Sequence, residues 1–335
     1  MRVTVLGAGT WGTAFAGVLT DAGNDVTLWA RRPELAASIN KEHRNPDYLP
    51  DIALAANLRA TSDPAEALDG ARLVAIAVPA QSLREHLAAW APLLPADAFV
   101  LSLMKGIELG TTKRMSELIV SVGGVDQDRV AALSGPNLAK EIAQRQPSAT
   151  VIGCTDDVVA LQIQRACTTP YFRPYTNDDI VGCELGGAVK NVIALAVGIA
   201  GGMGLGDNAK ASLITRGLAE TTRLGAVLGA DPMTFAGLAG LGDLVASCSS
   251  PLSRNRSVGE QLAKGRSIAD ISADMREIAE GVQSSRAILE LANQLDVDMP
   301  ITQHVAAVVH DGASPQDTVR QLMGRETKSE MHGLQ

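Results

Sequence analysis

At 335 residues the chain is long enough for two domains of ordinary size, each with its own core. Hydrophobic residues make up 46% and charged residues 20%, an ordinary globular balance that excludes a disordered, fibrous or membrane-embedded chain. A formal net charge of -8 repels polyanions, and with only 3% aromatic residues there is little to stack on bases, so nucleic acid is not the expected partner.

The first twenty residues superficially match a secretory signal or a membrane span, since Val3 to Thr20 carry no charge and follow Arg2. Gly7, Gly9, Gly12 and Gly17, with four threonines, break the continuous apolar run that either would need. Short β-branched runs instead predict strands at Arg2 to Leu6, Asp25 to Ala30, Arg72 to Val78, Ala98 to Leu103, Arg129 to Leu133 and Ala149 to Gly153. Amphipathic stretches such as Pro33 to Lys41 and Thr111 to Ser121 predict helices between them. That alternation implies an α/β domain whose mostly parallel sheet is covered on both faces.

From about Val181 strand-like runs disappear, and Ala209 to Leu228, Asn255 to Lys264, Gly281 to Leu295 and Ile301 to His310 read as helices. Asn191 to Gly206 is uncharged but short for a span and rich in glycine, which predicts a buried segment. The expected division is therefore 1–180 for the α/β domain and 181–335 for an all-helical one. Cys154, Cys167, Cys183 and Cys248 form no C-x-x-C pair and fit neither a disulfide framework nor a zinc site, so a reducing cytoplasm is the expected compartment.

The motif Gly7-Ala8-Gly9-Thr10-Trp11-Gly12 follows the first strand and opens a helix. Gly7 permits the tight turn, Gly9 leaves room for a pyrophosphate against the backbone, and Gly12 lets helix and strand pack closely. Amides at the helix N-terminus then face the phosphates. With a second strand following, this is the context a Rossmann-like dinucleotide-binding domain requires. An NAD-selective site would place an acid at the end of that second strand; Arg31 and Arg32 stand there instead and suit a 2'-phosphate, which favours NADPH, the alternative being a solvated basic pair.

Further along, Lys105-Gly106 lies just past a strand's carboxyl end, where open α/β sheets bind ligands, and Ser134-Gly135-Pro136-Asn137 occupies a similar place and is expected to cap the next helix. Ordinary turn chemistry explains both equally well. Lys190 and Asn191 sit in the apolar, glycine-lined run from Gly186 to Ala194. Such a lysine either snorkels to water or is desolvated, and a desolvated amine has a lowered pKa suited to proton transfer. Asp243, between Gly242 and Leu244, could pair with it. Ser253-Arg254-Asn255-Arg256 offers a hydroxyl, an amide and guanidinium groups at a helix start, which suits a small phosphate or else a capped surface helix. No histidine shows metal-ligand spacing, and no metal is expected.

Taken together these strings resemble the bacterial NAD(P)-dependent glycerol-3-phosphate dehydrogenases. The resemblance is carried by Val5 to Ala14, Lys105-Gly106, Ser134 to Glu141, Leu185 to Val192, Ala209 to Leu228, Gly240 to Leu244, Ser253 to Arg256, Glu280-Gly281 and Met299 to Thr302. It implies reduction of dihydroxyacetone phosphate to sn-glycerol 3-phosphate for glycerophospholipid synthesis, with NADP(H) or NAD(H) as cofactor. It further implies Lys190 as proton donor, Asp243 as its positioning partner, and Lys105 in contact with substrate and cofactor. Gly135, Asn137, Ser253, Arg254 and Asn255 match substrate positions, with Arg254 also near the cofactor; many members carry a hydroxyl residue where Asn137 stands. Thr10, Trp11, Arg31, Ala139, Ile278 and Glu280 match cofactor positions. A homodimer is implied by the resemblance alone. The competing expectations are another two-domain reductase, of the ketopantoate or 3-hydroxyisobutyrate type, and a non-catalytic NADPH sensor; the phosphate-suited cluster weighs against the first and the embedded Lys190 and Asp243 against the second.

Overall fold

The computed structural model describes residues 1–275, 279–327 and 329–330. The chain divides into two compact units, one made of Met1–Met104 and Arg114–Cys183, the other of Lys105–Lys113 and Glu184–Gln335.

The first unit carries β1 (Arg2–Leu6), β2 (Asp25–Trp29), β3 (Arg59–Thr61), β4 (Leu73–Ile76), β5 (Phe99–Ser102), β6 (Val130–Ser134), β7 (Ser148–Gly153) and β8 (Phe172–Asn177). Its helices are α1 (Thr10–Asp21), α2 (Pro33–Glu42), α3 (Pro64–Leu68), α4 (Leu83–Trp90), α5 (Met115–Ser121), α6 (Ala139–Ala143) and α7 (Asp157–Cys167). The strands form one sheet in the order β3-β2-β1-β4-β5-β6-β7-β8, parallel throughout except between β6 and β7. Alternate residues of each strand face opposite sides. Val3 and Val5 therefore join a core with Phe15 of α1, Ile39 of α2 and Ile163 of α7, while Leu6, Val74 and Ile76 join another with Leu68 of α3, Leu87 of α4 and Leu118 of α5. Burying each such side chain is worth about 1.5 to 3 kcal/mol.

The six expected strands lie within two residues of their expected limits. Two more were not foreseen. β3 has only three residues, and β8 contains Pro174, which weakens a strand signal but is tolerated because β8 is the sheet's edge. The helix expected from Thr111 begins only at Met115, where Glu117 Oε2 accepts from the Arg114 amide at 2.8 Å.

The second unit is helical, as expected. α8 (Ile180–Gly202) enters it at Glu184 and is followed by α9 (Asp207–Val227), α10 (Pro232–Ala236), α11 (Asp243–Ser249), α12 (Arg254–Ala263), α13 (Ile268–Asp274), α14 (Glu280–Gln294), α15 (Pro300–His310) and α16 (Pro315–Met323). Among the described residues α8 is the one helix long and apolar enough to cross a membrane, and 89% of its apolar window is buried inside the protein. Its glycines are contact points. A Cβ at Gly198 would lie 2.1 Å from the Arg256 carbonyl oxygen, and one at Gly259 would lie 2.2 Å from that of Leu195, so α8 and α12 touch backbone to backbone. Lys190 and Asn191 are thereby held on a helix packed at atomic contact.

Candidate active site

In the first unit the chain reverses direction across the sheet between β1 and β4, the place where open α/β sheets bind ligands at their carboxyl ends. Gly7 lies there with φ +125°, and a Cβ on it would sit 2.5 Å from the Ala77 carbonyl oxygen just past β4. A Cβ on Gly12 would sit 1.9 Å from the Gly7 oxygen. Both positions therefore demand glycine. Gly9 is the N-cap of α1 in extended backbone, and Thr10, Trp11 and Gly12 form the helix's first turn, with no side-chain cap and no acidic residue. The first amides of a helix have no intrahelical acceptors, so this end is suited to an anion. Trp11 packs its ring on Phe15 and leaves a buried Nε1 without a hydrogen-bond partner among the described residues. These residues fit a dinucleotide.

Past β2 the two arginines differ. Arg32 is ion-paired with Asp47, whereas Arg31 is exposed and forms no salt bridge among the described residues. Near β6, Gly135 has φ +127°, and a Cβ there would meet Thr150 Cα at 3.2 Å. Asn137 does not cap the following helix, contrary to expectation. The N-cap of α6 is Leu138 without a side-chain bond, because the Asn137 amide Nδ2 donates to Thr150 Oγ1 at 3.1 Å, and its buried Oδ1 has no partner among the described residues. Ala139 is the first residue of α6.

The second unit gathers the chemical groups. Gly237 to Gly242 form a single π-helical turn, closed by the Gly242 amide on the Gly237 carbonyl at 3.1 Å, and this turn delivers Asp243 to the start of α11. Asp243 is 2% exposed; its Oδ2 lies 2.6 Å from Lys105 Nζ and its Oδ1 3.0 Å from Lys190 Nζ. Lys190 also donates to Ser247 Oγ at 2.6 Å, and that hydroxyl donates to Asp243 Oδ1 at 3.3 Å. Burial pushes the Asp243 carboxyl up, but the two ammonium groups more than reverse this and hold it below the ordinary carboxylate range. For Lys105 the balance runs the other way. Burial, reinforced by Lys190 and only partly offset by Asp243, brings its amine down to about 8.

Residues 2–160 match the family profile described as NAD-dependent glycerol-3-phosphate dehydrogenase N-terminus, and residues 179–320 match its C-terminus. The chain belongs to the NAD-dependent glycerol-3-phosphate dehydrogenase family. A relative from Streptomyces griseus named glycerol-3-phosphate dehydrogenase, NAD(P)+, is 60% identical over 98% of both chains, and one from Thermobifida fusca is 58% identical over 99% of both. The crystal structure of glycerol-3-phosphate dehydrogenase from Coxiella burnetii superposes with a TM-score of 0.92 at 35% identity, covering 97% of this chain and 99% of that one. A ketopantoate reductase from Ralstonia eutropha shares the fold alone, at 18% identity and a TM-score of 0.58 over 95% of this chain and 100% of that one.

In this dehydrogenase the expected trio of Lys105, Lys190 and Asp243 is brought together, all within the second unit. Ser253, Arg254 and Asn255 are neighbours with separate tasks. Ser253 is the N-cap of α12 and accepts from the Arg256 amide at 3.3 Å, Arg254 is exposed, and Asn255 is buried with its amide bonded at both ends, to Asn191 Oδ1 at 2.9 Å and to the Gly281 amide at 3.0 Å. Glu280 opens α14, and Ile278 lies outside the described residues. Ser247 was missed. Its only signal in the sequence is its place four residues after Asp243, which puts both on one face of a helix. The partner of Asn191 Nδ2, the Lys105 carbonyl at 3.3 Å, had no signal in the sequence.

Proposed function

We propose that Lys190 gives the proton to the ketone oxygen as dihydroxyacetone phosphate is reduced to sn-glycerol 3-phosphate with NADPH, and that Asp243 positions it. The observation that carries this reading is one buried carboxylate holding two lysine amines, one on each oxygen. The nicotinamide, when bound, supplies hydride to the ketone carbon. Charge then develops on the ketone oxygen, where a fixed ammonium both stabilises and protonates it. Asp243 and Ser247 take two directions around the Lys190 amine and leave the remaining donor for substrate. Lys105 adds a second positive charge beside it. Ser253 and the exposed Arg254 at the start of α12 suit the substrate phosphate, with Asn255, Gly135 and Asn137 as further substrate contacts. Binding energy from that phosphate holds the carbonyl in reach of the amines. Gly7, Gly9, Thr10, Trp11, Gly12, Ala139 and Glu280 would hold the cofactor, with Arg31 favouring the 2'-phosphate of NADPH.

The product is the backbone precursor of glycerophospholipids, so supply of lipid synthesis is the proposed role. Cytoplasmic location is supported by four cysteines that are free and buried. A homodimer is supported by the family resemblance.

A second reading exchanges the lysines. The lowered amine of Lys105 favours it as donor near neutral pH. Substitution separates the two: under the first reading Lys190→Ala abolishes turnover while NADPH still binds, and an active Lys190→Ala enzyme moves the role to Lys105. The reading as a whole is tested by following NADPH oxidation with dihydroxyacetone phosphate and with unphosphorylated dihydroxyacetone. Turnover with the first and almost none with the second is expected; equal rates would remove the phosphate site.

A further inference from the structure

The geometry points to α14 as a brace for Lys105, which makes Glu290 and Gln294 positioning residues for the reaction, remote from the amines themselves. This rests on the proposed role of Lys105. Lys105–Lys113 is a loop of the second unit. It contains two residues in the left-handed region, Gly110 at φ +79° and Thr112 at φ +55°. Glycine adopts that conformation freely, but a β-branched threonine does so only where its surroundings over-determine it.

Within the loop the Thr112 amide donates to the Glu108 carbonyl at 3.0 Å and the Glu108 amide to the Lys113 carbonyl at 2.9 Å, and α14 holds the turn so formed from outside. Glu290 Oε2 accepts from the Gly110 amide at 3.3 Å, and the single proton of the Thr112 hydroxyl is shared between the Thr111 carbonyl at 2.7 Å and Gln294 Oε1 at 3.1 Å. The other end of α14 reaches the same loop through side-chain amides. The Gly281 amide donates to Asn255 Oδ1 at 3.0 Å, Asn255 Nδ2 donates to Asn191 Oδ1 at 2.9 Å, and Asn191 Nδ2 donates to the Lys105 carbonyl at 3.3 Å. Each asparagine thus uses its oxygen toward α14 and its nitrogen toward Lys105, which fixes both orientations. The approach is close enough that a Cβ on Gly281 would lie 2.6 Å from the Asn191 carbonyl oxygen.

α14 is itself anchored. Ser284, Ala287, Ile288, Leu291 and Ala292 are buried along one face, and Ser285 Oγ meets His310 Nε2 of α15 at 3.0 Å. A rigid helix therefore grips the loop at the Lys105 carbonyl and again at Gly110 and Thr112. The backbone that carries the Lys105 amine is fixed before substrate arrives, so little ordering remains to be done in the transition state.

The test is the double variant Glu290→Ala, Gln294→Ala in the full-length protein, with Asn293→Ala, an exposed neighbour on α14, as control. The double variant is expected to lose about tenfold in kcat with dihydroxyacetone phosphate. Its KM for NADPH should stay unchanged, the pH limb of kcat that Lys105 sets should move upward, and amide hydrogen exchange across 105–113 should quicken. Glu290→Gln keeps an acceptor for the Gly110 amide and should restore most of the rate in that background. An unchanged kcat, pH limb and exchange rate in the double variant, with Lys105→Ala inactive, would overturn the brace and leave the role of Lys105 standing. A fully active Lys105→Ala enzyme would overturn that role, and the brace with it, whatever the exchange data show.

Discussion

The Nζ of Lys105 stands 2.6 Å from Oδ2 of Asp243, and only 2% of the Asp243 side chain meets solvent. A carboxylate so placed would be strongly disfavoured alone, and it is ionised because Lys105 and Lys190 flank it. Asp243→Asn keeps the shape and removes the negative charge that the amines of Lys105 and Lys190 both face. The expected cost is about 3 to 5 kcal/mol of stability, as for breaking a buried pair from one side. A fall of at least about a hundredfold in kcat should accompany it, with NADPH affinity little changed. Denaturant melts and stopped-flow binding measure the two effects separately; an Asp243→Asn enzyme with native kcat would detach the carboxylate from the chemistry.

The same trio sets the pH dependence. Lys105 in the folded protein is lowered to about 8, below its unfolded value, so the unfolded chain binds more protons between those two values. Its contribution to stability therefore rises with pH across that window. For catalysis the sign is opposite. Ketone reduction uses the positive charge of Lys105, so kcat in that direction should fall through a midpoint near 8. Lys105→Arg, which stays protonated, should remove that limb; a limb that persists unchanged assigns it to another group. Asp243, held below its unfolded value, contributes stability above about pH 4 that is lost as pH falls through its folded value.

Arg31 and Arg32 are adjacent in sequence but not equivalent. Arg32 is engaged by Asp47, while Arg31 is exposed at the end of β2 without a salt bridge among the described residues. Arg31→Ala should raise the KM for NADPH by about tenfold to a hundredfold and leave that for NADH nearly unchanged, and Arg32→Ala should do less to either. Loss of one charged hydrogen-bonding partner is worth about 1.5 to 3 kcal/mol, which sets the scale of the first effect. Equal changes for both cofactors in Arg31→Ala would mean that neither arginine reads the 2'-phosphate.

The glycine turn was legible because its constraint is local: the next atoms met by a Cβ at Gly12 belong to Gly7, five residues away. Lys190 and Asp243 stood out because charge in an apolar, glycine-flanked run demands a partner. Their pairing through both carboxylate oxygens was not legible, since it depends on the π-helical turn at Leu238–Gly242, whose hydrogen bonding leaves no periodic mark. By sequence Lys105 is a residue just past a strand, and nothing there signals that its loop packs within the helical unit. The strand signal in β8 was masked by Pro174, which an edge position alone makes harmless.

Glu220 was equally silent, sitting in the middle of the long helix α9, yet it is 1% exposed and serves as a remote cap for α15. Its oxygens accept from the Ile301 amide at 2.7 Å, and from the Thr302 amide and hydroxyl, each at 3.2 Å. Burial raises its carboxyl to about 7 despite those donors. A carboxyl raised on folding binds its proton more tightly in the native state, so its contribution is full below the unfolded value near 4.3 and is lost as pH rises through about 7. Stability should accordingly decline between about pH 5 and 8 by on the order of 2 kcal/mol from this group. Glu220→Gln keeps an acceptor for the Ile301 amide and does not titrate, so its urea midpoints should be flatter across that range. Glu220→Ala removes the cap at every pH and should cost about 1 to 3 kcal/mol throughout. Parallel midpoint curves for the native protein and the Gln variant would show that another group carries the slope.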